Sequence, residues 1–286
     1  ISFATGSEIP LVIVDVQRLG PSTGSATRAA DSDIQFLRWG NTGGLPAIVL
    51  APSDGLDCYE LAIHAFNFSE MLRVPVFIAS NKDIGMTRES MDLDSVRLPA
   101  LIERPRFDGK PYLPFEAEPD QAPPFMPMGG QTLVRQTSST HGPDGYITID
   151  PDTIEANQRR LAEKLHSRLE EITLYDQVLV PDSDTLIISY GITSRSVADA
   201  AHILAEKGRA VSTLTLKTLW PVPEPLLVQT AARYKKIIVA EMNHGLYARE
   251  IQRVLPGKDV RTFGRMNGLL ISPSILVEVI ENANVH

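Results

Sequence analysis

The sequence predicts an α/β protein built from two parallel-sheet domains, joined by a proline-rich connector and a helix. Three observations lead there. Apolar, β-branched runs of strand length alternate with segments of helical period over residues 11–98, and the alternation returns over 184–286. Between them, residues 99–150 carry prolines at 99, 105, 111, 114, 119, 123, 124, 127 and 143 and show no clean period. A length of 286 residues suits two domains rather than one. The expected divisions are therefore 1–98, 99–183 and 184–286.

The first element is Leu11 to Val16, nearly all apolar, which reads as a strand buried on both faces. Gln17 and Arg18 stand at its carboxyl end. Gly20, Pro21, Ser22, Thr23 and Gly24 follow as a polar, glycine-bounded loop. In open parallel sheets, ligands bind at the carboxyl ends of strands. An arginine there offers a planar fork of donors that fits a carboxylate or a phosphate. The segment reads as an anion site with a permanent cation, or as a solvated arginine in an ordinary connector.

Leu45–Leu50 and Val74–Ser80 read as further strands. Cys58–Leu72 places Leu61, Ala62, Ala65, Phe66 and Met71 at helical spacing, so it reads as a helix packed on a sheet, with Ser53 or Asp54 as a cap nearby. In the connector, Phe107, Tyr112, Phe115 and Phe125 predict that part of it packs down. His141 to Gly145 is a turn by composition. A helix starts near Pro151, with Asp152 as N-cap and Glu155 completing a capping box. Its apolar stripe is Leu161, Leu165, Leu169 and Ile172, and its other face is charged.

The second domain opens with a strand over Asp184–Tyr190, then a loop and helix over Gly191–Gly208 closed by glycine. Ala210–Lys217 and Lys236–Glu241 are strands, and Leu246–Leu255 a helix. Pro221, Pro223 and Pro225 bar a helix until after residue 225. Gly191-Ile192-Thr193-Ser194 either holds an anion at a helix N-terminus or is simply capped by Thr193 or Ser194; capping is the simpler reading. Glu241 to His244 is either a catalytic pair or, more simply, a loop making domain or subunit contacts.

Composition excludes several classes. Lys and Arg number 27 against 35 Asp and Glu, a formal net charge of −8, which argues against a phosphate-backbone binder. No apolar run approaches a membrane span and no signal-peptide zones open the chain, so a cytoplasmic setting is expected. Cys58 is the single cysteine, so an iron–sulfur cluster, which needs about four thiolates, would sit on another chain. The six histidines, at 64, 141, 166, 202, 244 and 286, lack zinc-type spacing, and no metal is expected here. No nucleotide-binding glycine motif or Gly-x-Ser-x-Gly elbow occurs.

Gln17-Arg18-x-Gly20-Pro21-Ser22-Thr23-Gly24 closely resembles the signature of the α subunit of 2-oxoacid:ferredoxin oxidoreductases. The resemblance extends in order along nearly the whole chain: Asp57-Cys58-Tyr59-Glu60, Pro75-Val76-Phe77-Ile78, Thr137 to Gly145, Tyr190-Gly191-Ile192-Thr193 and Glu241-Met242-Asn243. It implies a thiamine-pyrimidine-binding-like first domain and a transketolase C-terminal-like second domain. It implies oxidative decarboxylation of a 2-oxoacid on thiamine diphosphate, with coenzyme A taking the acyl group and ferredoxin the electrons. The diphosphate, its Mg2+ and a 4Fe-4S cluster would lie mainly on a partner β subunit, with further subunits and a second αβ unit. Arg18 would bind the substrate carboxylate, with Gly20, Ser22, Thr23 and Gly24 shaping the wall beside it.

In that family the strand at Leu11 lies mid-domain, so the chain resembles the remainder of a longer α subunit. The glutamate that activates the thiamine ring would then stand upstream of Ile1, and no catalytic residue is named here. Asp31 stands before Ser32 and Asp33, where many relatives have a Gln two before an Asp. Arg38-Trp39-Gly40-Asn41 stands where many relatives have His-Gly. Arg38 could meet a second carboxylate, which favours 2-oxoglutarate ahead of branched-chain oxoacids, or it could form a structural ion pair. A non-enzymatic scaffold subunit, or a transketolase or oxoacid-dehydrogenase β-type subunit, is the alternative; the Arg-x-Gly-Pro-Ser-Thr-Gly string speaks against the latter.

Overall fold

The computed structural model describes every residue except 93, 95, 97, 108, 110 and 283–286, so His286 and the end of the second domain lie outside the described residues. Helix α1 (Ser2–Gly6) leads into β1 (Leu11–Gln17), α2 (Ile34–Trp39), β2 (Ile48–Leu50), α3 (Gly55–Leu72), β3 (Pro75–Asn81) and α4 (Lys82–Met86). After the connector come α5 (Pro151–His166), α6 (Leu169–Ile172), β4 (Tyr175–Val178), β5 (Thr185–Tyr190), α7 (Thr193–Glu206), β6 (Ser212–Leu216) and β7 (Thr218–Trp220). The chain closes with α8 (Glu224–Ala231), β8 (Lys236–Glu241), α9 (Ala248–Val254), β9 (Asp259–Gly264) and α10 (Pro273–Asn282).

Sheet one has the order β1-β3-β2-β7 and sheet two the order β4-β6-β5-β8-β9. Pairing is parallel except at β7 on β2 and β4 on β6. Strand β7 follows β6 after only Lys217, yet it belongs to sheet one. One core runs through both sheets: Val49 and Phe77 share it with Leu186, Leu214 and Trp220. Separating the sheets would expose that shared apolar surface.

Several expectations need correction. Strand β1 is an edge strand, not one buried on both faces: Val14 is 59% and Val16 53% exposed. An apolar run reports that a strand is apolar, not that neighbours cover it. Phe66 is 60% exposed, while Leu61 and Ala65 pack on the sheet. Asp54 caps α3, accepting from the Asp57 N–H at 2.8 Å. The cap of α5 is Asp150, not Asp152: its Oδ2 accepts from the Thr153 N–H at 2.9 Å, and Pro151 takes the first turn, where no N–H is needed. Helix α8 starts at Glu224, ahead of Pro225, for the same reason. The leucine stripe is split between α5 and α6.

The connector has no helix or strand among its described residues, yet its aromatics pack as expected. Phe115 is buried with its ring 3.9 Å from that of His141, and Phe107 meets Tyr112 at 5.3 Å. The charged face of α5 is not all solvated. Arg160 and Lys164 turn inward onto the fully buried Glu8.

Candidate functional site

Gln17, the last residue of β1, is buried and holds both sides of the turn that follows. Its Oε1 accepts from the Asp33 N–H at 2.9 Å, and its Nε2 donates to the Ser80 carbonyl at 3.4 Å. The loop then closes on itself. Leu19 N–H donates to the Arg28 carbonyl at 2.8 Å and Gly24 N–H to the Pro21 carbonyl at 2.9 Å. Gly24 has φ +55°, and a Cβ there would fall 1.5 Å from the Leu19 carbonyl oxygen, so only glycine fits.

This loop walls a cavity of about 480 Å³ at the carboxyl end of β1. Arg18, Gly20 and Ser22 line it, together with Asp15, Ser32 and Asp33. The Arg18 backbone carbonyl accepts from Ser32 Oγ at 3.0 Å, while its exposed guanidinium has no hydrogen-bond or ion-pair partner among the described residues. Thr23 and Gly24 belong to the same loop but do not line the cavity; Gly24 shapes it by closing the turn. Asp15 is partly buried with one carboxyl oxygen unpartnered. Burial and the nearby Asp33 charge lift its carboxyl to about 6. Burial also raises Asp33.

Arg38 is not brought to this cavity. Its guanidinium donates to the Leu45 carbonyl at 3.1 Å and lies 3.9 Å over the Trp39 ring, with Trp220 6.0 Å away. Those contacts hold the 44–45 turn against α2.

The segment after β8 pins the returning arm of the loop. Asp31 N–H donates to the Met242 carbonyl at 3.1 Å, Asn243 Nδ2 to the Asp31 carbonyl at 2.8 Å, and Gln35 Nε2 to the Leu246 carbonyl at 2.7 Å. The segment after β8 thus contacts the loop that follows β1. Glu241 is buried and accepts from Tyr190 OH at 2.7 Å and from the Tyr247 and Ala248 N–H groups at 3.0 Å, which caps α9. Asp31 is buried too, with Oδ1 accepting from Asn81 Nδ2 at 3.1 Å and Oδ2 unpartnered. Burial pushes its carboxyl up to about 6 despite the Asn81 hydrogen bond.

Thr193 and Ser194 do not cap α7, contrary to the simpler reading: among the described residues no side chain caps it, and the Ser194 and Arg195 N–H groups donate to the Gly191 and Ile192 carbonyls at 3.1 and 3.2 Å. Cys58 is partly buried, and burial pushes its thiol up to about 11, which makes it a poor nucleophile. Among the described residues no group of three or more His, Cys, Asp or Glu is placed to hold a metal ion, and no helix is long and apolar enough to cross a membrane. Two features carry no sequence signal that motif or period reading would find: the carboxyl pair Asp15 and Asp33 beside Arg18, and the buried Glu8 cluster. Both join residues far apart in the chain or on different elements.

Comparison with known proteins matches this architecture. Residues 1–160 match the family described as pyruvate flavodoxin/ferredoxin oxidoreductase, thiamine diP-bdg, and residues 183–276 match pyruvate:ferredoxin oxidoreductase core domain II. The chain belongs to the 2-oxoacid:ferredoxin oxidoreductase family. It is 33% identical to the 2-oxoglutarate synthase subunit KorA of Methanothermobacter thermautotrophicus, over 99% of this chain and 76% of that protein. It is 35% identical to the KorA subunit of Methanocaldococcus jannaschii, over 98% of this chain and 75% of that protein. Among solved structures, the 2-oxoglutarate:ferredoxin oxidoreductase of Magnetococcus marinus, with 2-oxoglutarate, coenzyme A and succinyl-CoA bound, superposes with a TM-score of 0.89 at 27% identity. That match covers 98% of this chain and 50% of the other, so the chain spans about half of that oxidoreductase polypeptide.

Proposed function

We propose that this chain serves as the α subunit of a thiamine-diphosphate-dependent 2-oxoacid:ferredoxin oxidoreductase, and that Arg18 binds the carboxylate of the 2-oxoacid. The observation that carries this is the Arg18 guanidinium, without a partner among the described residues, on a cavity at the carboxyl end of a parallel strand. The favoured substrate is 2-oxoglutarate. Relatives named 2-oxoglutarate synthase subunits are 33% and 35% identical, against 28% for the ketoisovalerate oxidoreductase subunit VorB of Methanothermobacter thermautotrophicus. Coenzyme A accepts the acyl group and ferredoxin the electrons. The setting is the cytoplasm.

The cavity suits thiamine chemistry on one side. Arg18 offers donors to an anion, and the partly buried Asp15 carboxyl stands on the same wall. When bound, the cofactor supplies the nucleophilic carbon and the electron sink. This chain's own residues bind and orient. Arg18 fixes the substrate carboxylate by charge and bidentate geometry. Ser22 and Ser32 offer hydroxyls beside it. Asp15, lifted to about 6, holds a proton below that pH and releases it above, within reach of physiological conditions. The residues present do not fit an iron–sulfur cluster, because Cys58 is alone and its thiol is raised. We assign the cluster, the diphosphate and Mg2+ to a β-subunit partner, in an assembly with a second αβ unit and further subunits.

The test is reconstitution. The complex of this chain with its cofactor-bearing partner should reduce a dye with 2-oxoglutarate, faster than with branched-chain oxoacids, and only with coenzyme A present. Turnover by this polypeptide alone with added cofactor would show the subunit assignment to be wrong.

A further inference from the structure

The loop that carries Arg18 is closed by its own hydrogen bonds, Leu19 to Arg28 and Gly24 to Pro21, so it can shift as a unit. The arm Asp31-Ser32-Asp33, which returns from the loop, sets where that unit sits. Ser32 Oγ donates to the Arg18 carbonyl at 3.0 Å. The Asp33 N–H donates at 2.9 Å to Oε1 of Gln17, the residue before Arg18. The arm thus holds the Arg18 backbone at its own carbonyl and through the preceding side chain. With no partner for the guanidinium among the described residues, that backbone decides where the fork starts.

Asn243 holds the arm in turn. It is fully buried, and both its amide hydrogens and its amide oxygen are engaged. Nδ2 donates to the Asp31 carbonyl and to Tyr190 OH, each at 2.8 Å, and Oδ1 accepts from the Leu246 N–H at 2.8 Å. The Asp31 N–H donates back to the Met242 carbonyl at 3.1 Å, so two hydrogen bonds join the arm to the segment after β8. Tyr190 OH is itself fixed by donating to Glu241 at 2.7 Å. Flipping the Asn243 amide would turn its oxygen onto the Asp31 carbonyl, acceptor against acceptor, so its orientation is set. A buried polar network satisfied in this way is rigid.

We propose that Asn243 is a positioning residue for the oxoacid site: through the Asp31 carbonyl and the arm to Asp33, it fixes where Arg18 presents its guanidinium. This role rests on Arg18 binding the substrate carboxylate. Asn243 does not line the oxoacid cavity, so its effect on substrate passes through the arm. Bidentate contacts tolerate little displacement, and a shift of about 1 Å can cost about a hundredfold. Lost carboxylate binding raises KM and leaves kcat nearly unchanged.

The test is a double-mutant cycle in the complex of this chain with its cofactor-bearing partner, read by dye reduction with melting temperature alongside. Asn243→Ala removes the amide, and Asn243→Asp keeps its size and the Leu246 bond but loses both donations. Each should raise KM for 2-oxoglutarate, and the inhibition constant of unreactive 2-hydroxyglutarate, by roughly tenfold with kcat within about twofold. In the Arg18→Ala background each should add less than about twofold, because the route to substrate is gone. Tyr190→Phe keeps the Asp31 bond, so it should lower melting temperature without moving KM. Ser32→Ala removes the last link from a half-buried position and decides the matter if neither Asn243 variant assembles. It should raise KM severalfold and add little to Arg18→Ala. Unchanged KM in the Asn243 variants or in Ser32→Ala, equal effects with and without Arg18, or a KM rise in Tyr190→Phe matching that of Asn243→Ala would each overturn the positioning role. Near-normal kcat/KM in Arg18→Ala would overturn the substrate role of Arg18, and this proposal with it.

Discussion

Replacing Glu8 by Gln should destabilise this protein far more than replacing its partner Lys164 by Met. Glu8 is fully buried and faces three buried cations, Arg160, Lys164 and Arg73. It accepts from Arg160 Nη1 at 3.0 Å and Lys164 Nζ at 2.8 Å, and its backbone carbonyl accepts from Arg73 Nε at 2.9 Å. Burial alone would raise the Glu8 carboxyl, but Lys164 and Arg160 overcome it and hold it down at about 2. A lowering from 4.5 to about 2 is worth about 3 kcal/mol to the folded state. Breaking a buried pair by removing one partner costs roughly 3–5 kcal/mol, since the surviving charges stay buried. Glu8→Gln should therefore cost about 3–5 kcal/mol, or roughly 10 °C in melting temperature.

Lys164 stands on the other side of the balance. Burial drags its amine down to about 8, aided by the like charges of Arg160 and Arg73 and only partly offset by Glu8. Its charged form is strained in place. Lys164→Met removes one of the surplus cations and keeps the stem's packing, so it should cost under about 1 kcal/mol or stabilise. Urea and thermal unfolding of both variants at pH 7 measure the asymmetry. Glu8→Gln within about 1 kcal/mol of the parent, or equal costs for the two variants, would refute the reasoning.

Arg18→Ala should lower kcat/KM for 2-oxoglutarate by about ten- to a hundredfold, for a charge-assisted contact worth roughly 1.5–3 kcal/mol, with thiamine diphosphate binding intact. Arg18→Lys should recover little, because the bidentate fork is lost; near-normal steady-state kinetics in either variant would return Arg18 to a structural role. Gly24→Ala should cut oxoacid turnover while melting temperature barely moves, since a Cβ 1.5 Å from the Leu19 carbonyl must open an exposed loop. Asp31 has a folded pKa near 6 against 3.8 ordinarily, so its contribution is fully present below pH 3.8 and is lost as pH rises through about 6. Asp31→Asn should raise stability at pH 7 by about 1–3 kcal/mol and flatten the stability profile between those values. Glu8 acts in the opposite sense: its stabilisation is present above pH 4.5 and disappears as pH falls toward 2, which acid unfolding of Glu8→Gln would show as a missing transition.

Much of this was legible in one dimension. Alternating runs and their breaks determined the α/β class, most of the strands and helices, and the irregular connector, because period and apolar character act locally. The Gln17 to Gly24 string located the loop at a strand's carboxyl end, and the structure places Arg18, Gly20 and Ser22 on one cavity. Capping was read less well. Asp150 and not Asp152 starts α5, and backbone carbonyls rather than Thr193 or Ser194 meet the first N–H groups of α7, because a cap depends on backbone angles that residue type only biases. The exposure of β1 was illegible for a similar reason: which face is covered is decided by neighbours, not by the strand's own residues.

What only the tertiary structure decided is everything that joins distant parts. Strand β7 enters sheet one from the second half of the chain. Asn243 holds Asp31 across 212 positions, and Arg160 reaches Glu8 across 152. Arg38, an arginine equal to Arg18 on paper, is engaged by the Leu45 carbonyl and two tryptophans, while the Arg18 guanidinium has no such partner among the described residues. Asp15 and Asp31 gain raised pKa values through burial first and nearby carboxylates second, and both exist only in the folded chain. A sequence sets which groups are available to act. Whether a charge faces water, a carbonyl or another charge depends on desolvation and on geometry a few ångströms across, and those exist only once the chain has folded.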